Sequence, residues 1–406
     1  MQITQEISKN IFWLGGSDNR LERFENIHPL PMGVSYNSYL IQDEKVALLD
    51  TVDYSIAKQF LKNIDKLMGG RAIDYLVLNH VEPDHCASIQ TLCNKYPNIQ
   101  LVGNQKTQQL LTQFLHFDTP PNFKLVQEKD ELNLGSHSLR FYFAPMVHWP
   151  EVMFTYETSQ GILFSADAFG TFGALPGNIF SDEMDFEADF LDEARRYYSN
   201  IVGKYGPQVQ AILKKVAEEK LNMICPLHGP IWRKNLDYYL GKYHHWSKYE
   251  PEVAGVLIVH GSMYGNTEQA ASGLANLLSQ KGIQNIHSYD VSATHHSYLI
   301  SEAFKYSHIV FAAPTYNLGL FLPMYTFIHD MTALNMQNRK VAIIGNGSWA
   351  PASHTIMKKM LTEGMKNMEL LAEPLLLRST ITRDQLPELE AMADAIASSV
   401  KETAVW

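Results

Sequence analysis

A chain of 406 residues with 46% hydrophobic content is long enough to bury two cores, so two domains of ordinary size are expected. A net charge of −10 argues against nucleic acid as a partner, because binding a phosphate backbone needs clustered Lys and Arg. Three cysteines (Cys86, Cys93, Cys225) cannot all pair and show no Cys-x-x-Cys spacing. No apolar stretch reaches membrane-spanning length, and the start Met1-Gln-Ile-Thr-Gln-Glu6 lacks a basic segment followed by an apolar core, so a soluble cytoplasmic protein is expected.

In chain order, the first element that carries chemistry is the apolar run Tyr75–Asn79, which ends in His80-Val-Glu82-Pro-Asp84-His85. An apolar run ending in clustered ligand-type side chains predicts a buried strand with a metal site at its tip. Pro83 fixes φ and stiffens the loop. A zinc hydrolase built this way would place a third imidazole at position 82. A carboxylate there adds charge and a hard oxygen donor, which moves the preference towards iron or manganese. Three further runs follow the same pattern: Phe141 to His148, Gly161 to Asp167, and Asn222 to His228. Each alone would read as an ordinary polar loop after a strand; the repetition is what points to a site. His80, His148 and His228 offer imidazoles, Glu82, Asp84 and Asp167 offer carboxylates, and His85 is a spare. Three buried carboxylates without cations would raise one another's pKa. Two ions sharing a bridging carboxylate use the whole set and leave positions for substrate.

The composition changes near Tyr249-Glu-Pro251, which places the domain boundary there: residues 1–250 and 251–406. The run Ala254 to His260 predicts a central parallel strand. It leads into Gly261 and then Ser262-Met263-Tyr264-Gly265-Asn266-Thr267, followed by a helical pattern over Glu268–Gln280. Hydroxyls and amides between a strand and a helix N-terminus make a phosphate cradle, and the lack of Lys argues against a nucleoside-triphosphate loop. Two more strands, His308–Ala313 and Lys340–Ile344, run into Pro314-Thr315-Tyr316-Asn317 and into Gly345-Asn346-Gly347-Ser348-Trp349. Loops after parallel strands at a switch point are where a doubly wound sheet binds its ligand, and Tyr316 and Trp349 are placed to flank a flat ring system.

On these residues the first half resembles the metallo-β-lactamase-like domain of the flavodiiron proteins and the second half resembles flavodoxin. The resemblance covers essentially the whole chain. It implies an α/β protein, with an N-terminal αββα sandwich and a C-terminal doubly wound parallel sheet that binds FMN. It implies two iron ions: His80, Glu82 and His148 on one, Asp84 and His228 on the other, Asp167 bridging. His85 has a family counterpart that ligates in some members only. Tyr197 matches in position a tyrosine that reaches the diiron pocket, and equally fits a core aromatic on a helix face. His28 fits either a pocket histidine or a plain loop residue, and Trp149 either a cover for the site or packing. The activity implied is reduction of O₂ to water, of NO to nitrous oxide, or both. Two ferrous ions and a reduced flavin together hold the four electrons that O₂ needs. Nothing in the ligand set separates O₂ from NO. No four-cysteine rubredoxin knuckle is present, so an external donor is expected, rubredoxin or a reductase that feeds it; a reduced deazaflavin coenzyme, used by some methanogen members, is also compatible. A head-to-tail homodimer, or a dimer of such dimers, would bring each flavin beside the partner's irons.

Two rival functions fit parts of the sequence: a zinc hydrolase of the β-lactamase-like superfamily with an appended flavodoxin, and an electron-transfer module with a structural metal. Glu82 argues against the first. The open, carboxylate-rich donor set argues against the second, since structural zinc sites are closed and cysteine-rich.

Overall fold

The computed structural model describes residues 4–117 and 121–405; Met1 to Ile3 and Trp406 lie outside the described residues. By packing, the chain divides into two units. The first runs to Tyr198 and resumes over Tyr205–His244; the second comprises Ser199–Lys204 and the chain from His245 onwards.

The first unit is built on two sheets. The larger orders Gln5–Ser8, Ile11–Trp13, Tyr39–Gln42, Val46–Leu49, Tyr75–Val77, Gln100–Gly103 and Phe123–Leu125; the smaller orders Glu131–Asn133, Ser138–Phe143, Met153–Glu157, Ile162–Phe164 and Met223–Cys225. Ile41, Leu49, Val77 and Val102 from one and Leu139, Phe141, Met153 and Phe164 from the other share one buried cluster. Alternating side chains of two sheets interdigitating this way make a sandwich core. The helix Ala57–Met68 buries Phe60, Ile64 and Met68, spaced four residues apart, and stops at Gly69 in the left-handed region.

The second unit is a parallel sheet in the order Ile286–Asp290, Val253–His260, Tyr306–Tyr316, Gln337–Asn346, Lys366–Leu370, with Leu375–Leu377 also paired to Gln337–Asn346. In chain order that is 2-1-3-4-5, the flavodoxin-type doubly wound arrangement. The helices Asn266–Gln280 and Leu386–Glu402 supply Leu274, Leu278, Met392 and Ile396 to its core.

Several boundaries differ from the sequence reading. Asn266 and Thr267, read as loop, are the first turn of a helix whose N-cap is Gly265 at φ 88°, a conformation glycine adopts without a Cβ penalty. Pro314, Thr315 and Tyr316, also read as loop, finish a strand of eleven residues, which turns through Asn317 and Leu318 (φ 49° and 63°) to pair with Gly319–Leu320. Two consecutive left-handed residues give the turn that matches strand twist. The strand before His148 ends at Phe143, so His148 rides on a loop. Among the described residues no helix is long and apolar enough to cross a membrane.

Candidate metal centre

Four chain segments meet at one edge of the sandwich. Tyr75–Val77 lies between Val46–Leu49 and Gln100–Gly103 in parallel register, so the backbone leaving it is held on both sides. The Asp50 carboxylate then accepts from the backbone N–H of Asn79 (2.7 Å) and of His80 (3.1 Å) and from the Asn79 side chain (2.8 Å). Burial pushes Asp50 up to about 6 against these hydrogen bonds. Pro83–Cys86 forms one helical turn that aims Asp84 and His85 inward. Asp167 and His228 follow Ile162–Phe164 and Met223–Cys225, adjacent parallel strands in which Phe164 pairs with Cys225.

The donors fall into two sets. His80, Glu82, His148 and Asp167 form one and Asp84, His85 and His228 the other; within each, the ligand atoms lie within 4.8 Å of one another. Glu82 Oε2 is 3.1 Å from both His80 Nε2 and His148 Nε2. Asp167 faces both sets: its Oδ2 is 3.1 Å from His148 Nε2 and 3.6 Å from His80 Nε2, its Oδ1 3.2 Å from His85 Nε2 and 3.7 Å from His228 Nε2. His85, the spare in the sequence reading, stands within the second set, 3.4 Å from Asp84 Oδ2 and 3.1 Å from His228 Nε2. The charges support one another. Burial opposes protonation of His148 and His85, but carboxylates (Asp167 and Glu82 for His148, Asp84 and Asp167 for His85) push both rings up to about 9. Burial raises Glu82, yet His148 and His80 outweigh it and hold the carboxyl well below the usual range. Asp167 is held low against burial by His85 and His80.

A second layer orients these donors. His228 Nδ1 donates to the Ser35 carbonyl at 2.8 Å, and His80 Nδ1 donates to Glu151 Oε1 at 2.7 Å, which leaves both Nε2 atoms free to ligate. Glu151 is fully buried and also accepts from the Val81 N–H at 3.1 Å. The sequence reading missed Glu151 and Asp50. The usable signal for Glu151 was its position three residues after a ligand, behind Trp149-Pro150.

The pocket wall is aromatic. Tyr197 is fully buried, its ring 5.6 Å from the His228 ring, and its hydroxyl has no hydrogen-bond partner. Burial first, then Asp167, Glu82 and Asp84, push its pKa well above the usual value, so it stays a neutral donor. A Cβ at Gly170 would meet the Asp167 backbone carbonyl at 2.9 Å and the Tyr197 ring at 3.1 Å, so glycine lets both approach. Phe24 stands edge-on to His228 at 5.4 Å, and Trp149 edge-on to His80 at 5.4 Å. The His28 ring packs near Phe172 and its Nε2 lies 3.9 Å from Glu25. Burial and the neighbouring Glu82 carboxylate push Glu25 up to about 7.

In the second unit a cavity of about 260 Å³ opens at the C-terminal ends of the strands. It is lined by Ser262, Met263, Tyr264, Asn266, Thr267, Pro314, Thr315, Asn317, Asn346, Gly347, Ser348 and Trp349, and by Leu318, Ala350 and Ser379, which the sequence reading did not include. Gly265 shapes the turn without lining the cavity. Tyr316 is half exposed and also stands outside the lining. Asn346, the last residue of its strand, ties the first turn of the helix at Thr267 to the segment at Ser379. Its Nδ2 donates to Thr267 Oγ1 (3.2 Å) and to the Ser379 carbonyl (2.8 Å), and its Oδ1 accepts from the Ser379 N–H (3.0 Å).

Comparison with known proteins agrees with this arrangement. Residues 34–229, which contain all seven donors, match the family described as ODP family beta lactamase. Over 357 residues the chain is 30% identical to the anaerobic nitric oxide reductase flavorubredoxin of Vibrio vulnificus, covering 86% of this chain and 70% of that protein. The chain belongs to the flavodiiron protein family. A flavodiiron chain of the same architecture, the rubredoxin oxygen:oxidoreductase of Desulfovibrio gigas, superposes with a TM-score of 0.91 at 28% identity, covering 98% of this chain and 99% of that one. The nitric oxide reductase of Moorella thermoacetica is 29% identical over 375 residues, 91% of each chain.

Proposed function

We propose that this flavodiiron protein is an oxidoreductase that reduces dioxygen to water, nitric oxide to nitrous oxide, or both, at two iron ions supplied with electrons by FMN. The observation that carries the reading is the Asp167 carboxylate with one oxygen in each donor set, the disposition a bridging ligand needs. The donor chemistry fits a pair of hard cations. Both Asp84 oxygens are buried without hydrogen-bond partners, and two imidazole Nε2 atoms, of His85 and His228, face each other at 3.1 Å. Glu82 between two imidazoles favours iron over the all-imidazole triad of a zinc hydrolase.

His80, Glu82 and His148 would hold one ion, Asp84 and His228 with His85 the other, and Asp167 would span them. The loop Ser262–Thr267 would hold the FMN phosphate through its hydroxyls and the helix N-terminus, with Thr315, Asn317 and Trp349 lining the space for the ring. Once loaded, the metals and flavin together store four reducing equivalents, the number that takes O₂ to two waters. The chain does the rest. Tyr197 offers an uncommitted O–H donor beside the second set, His28 is a further proton source at the pocket edge, and Phe24, Phe172 and Trp149 exclude water, which strengthens each electrostatic contact inside. Electrons would come from an external carrier such as rubredoxin or its reductase, and a head-to-tail homodimer would pair each flavin with the partner's irons.

Metal and flavin analysis of protein produced with ample iron tests this: about two irons and one FMN per chain are expected, and predominant zinc counts against it. Asp167→Ala should lose metal while keeping FMN; both irons retained with full activity would refute the bridge. Mixing Asp167→Ala with a variant altered in Ser262–Thr267 should restore activity in mixed dimers, and confirmed heterodimers without recovery would refute the head-to-tail pairing.

A further inference from the structure

The short hairpin Arg23–Phe24 and His28–Pro29 roofs the donor sets. Phe24 covers His228, and Glu25 at the tip neighbours Glu82. The tip is strained. Glu25 and Asn26 both sit in the left-handed region, at φ 49° and 57°; Asn tolerates that conformation but Glu does not favour it. A two-by-two-residue hairpin of this kind has little stability of its own, so something must hold it down.

Arg196 is placed to do so. It is 1% exposed, although a charged residue on a helix is ordinarily solvated. Its guanidinium donates to the Pro29 carbonyl at 2.9 Å, lies 4.4 Å above the Phe172 ring, and is paired with Glu193 through two contacts of 3.0 and 2.6 Å. Phe172 in turn packs edge-on against Phe24 (5.5 Å) and Tyr197 (5.0 Å). One buried planar cation therefore joins the hairpin's second strand, the aromatic shelf under its first strand, and the helix bearing Tyr197. Lysine could keep the ion pair but has neither the fork nor the flat face.

We propose that Arg196 is a positioning residue that latches this hairpin over the metal pocket, setting the placement of Phe24 and His28 and the rate at which the pocket opens to solvent. The proposal rests on the diiron reading of the donor sets.

The test follows transfer of iron from the anaerobic ferrous holoprotein to a chromophoric chelator, beside the thermal midpoint of the metal-free protein. Arg196→Lys should speed metal loss by about tenfold or more with little change in the midpoint. Arg196→Ala should do the same, and added guanidinium should slow its loss again. Phe172→Leu provides a milder break of the same latch should the Ala variant fail to fold. Loss at the wild-type rate in Arg196→Lys and Phe172→Leu overturns the proposal. So does acceleration that only follows a fall in midpoint and is not reversed by guanidinium. A wild-type chain that takes up no iron overturns instead the diiron reading on which the proposal stands, so the two failures are distinct.

Discussion

Replacing Glu151 separates the ligands from what orients them. Glu151 Oε1 accepts from His80 Nδ1 at 2.7 Å and from the Val81 N–H at 3.1 Å, while Oε2 is buried without a partner. Glu151→Gln retains an acceptor oxygen for both donors but loses the charge that makes the His80 ring a better ligand, and it leaves an amide N–H₂ where Oε2 was. Glu151→Ala strands two buried donors, each costing about 1–3 kcal/mol when unsatisfied, and frees the His80 ring to rotate. Part of that cost falls on the apo fold. Loss of an outer partner to a metal-bound histidine typically weakens metal affinity about 10–100-fold, so the Gln variant should lie near the lower end and the Ala variant near the upper, a gap of about 1.4 kcal/mol. Competition for ferrous iron between the apoprotein and a chelator of known affinity measures this directly. If folded Glu151→Ala binds iron within twofold of the wild type, the hydrogen bond does not support the site.

Glu82→His should shift metal uptake towards zinc and abolish O₂ reduction; a variant that still selects iron and reduces O₂ would show that the carboxylate does not choose the metal. Asn346→Ala removes three hydrogen bonds that tie Thr267 and Ser379 to the strand end. At about 1 kcal/mol each, FMN binding to the apoprotein should weaken about tenfold or more, and an unchanged fluorescence titration would refute the tie. His308 is buried between the Ser307 and Ser399 hydroxyls, and burial with Lys340 lowers it to about 4 from 6.5. The folded chain then binds fewer protons than the unfolded one between those values. Stability from this group is complete above about 6.5 and is lost as pH falls towards about 4, by at most about 1.4 kcal/mol per pH unit. Denaturant titrations should show that slope in the wild type and not in His308→Asn; equal slopes would place the acid sensitivity elsewhere.

The donor residues were legible because each follows an apolar run, and strand ends are where a sheet can aim several side chains at one point. The two-set division, with Asp167 between the sets, came from the family resemblance and not from spacing, which cannot show that the oxygens of Asp167 face different sets; the place of His85 in the second set was not legible. Glu151, Asp50 and Arg196 were missed for a common reason: a charged residue in sequence reads as solvated until the fold shows what buries and pairs it. Strand ends in the second unit were misplaced because Pro314 and Asn317 look like loop residues, whereas the strand runs on into a tight hairpin. Ser379 was missed because the short strand before it, Leu375–Leu377, carries too few residues to display a period.

The parallel pairing of Ile162–Phe164 with Met223–Cys225 also dictates an order of assembly during synthesis. His80, Glu82, His148 and Asp167 have all been translated long before His228, yet the strand that presents Asp167, already paired with Met153–Glu157, lacks its second neighbour until the later segment emerges. A partly synthesised chain can thus offer one donor cluster, loosely held, and no second one. The entropic cost of closing that loop grows only slowly with its length, so what the second donor set waits for is the arrival of His228 and the pairing of the strand before it.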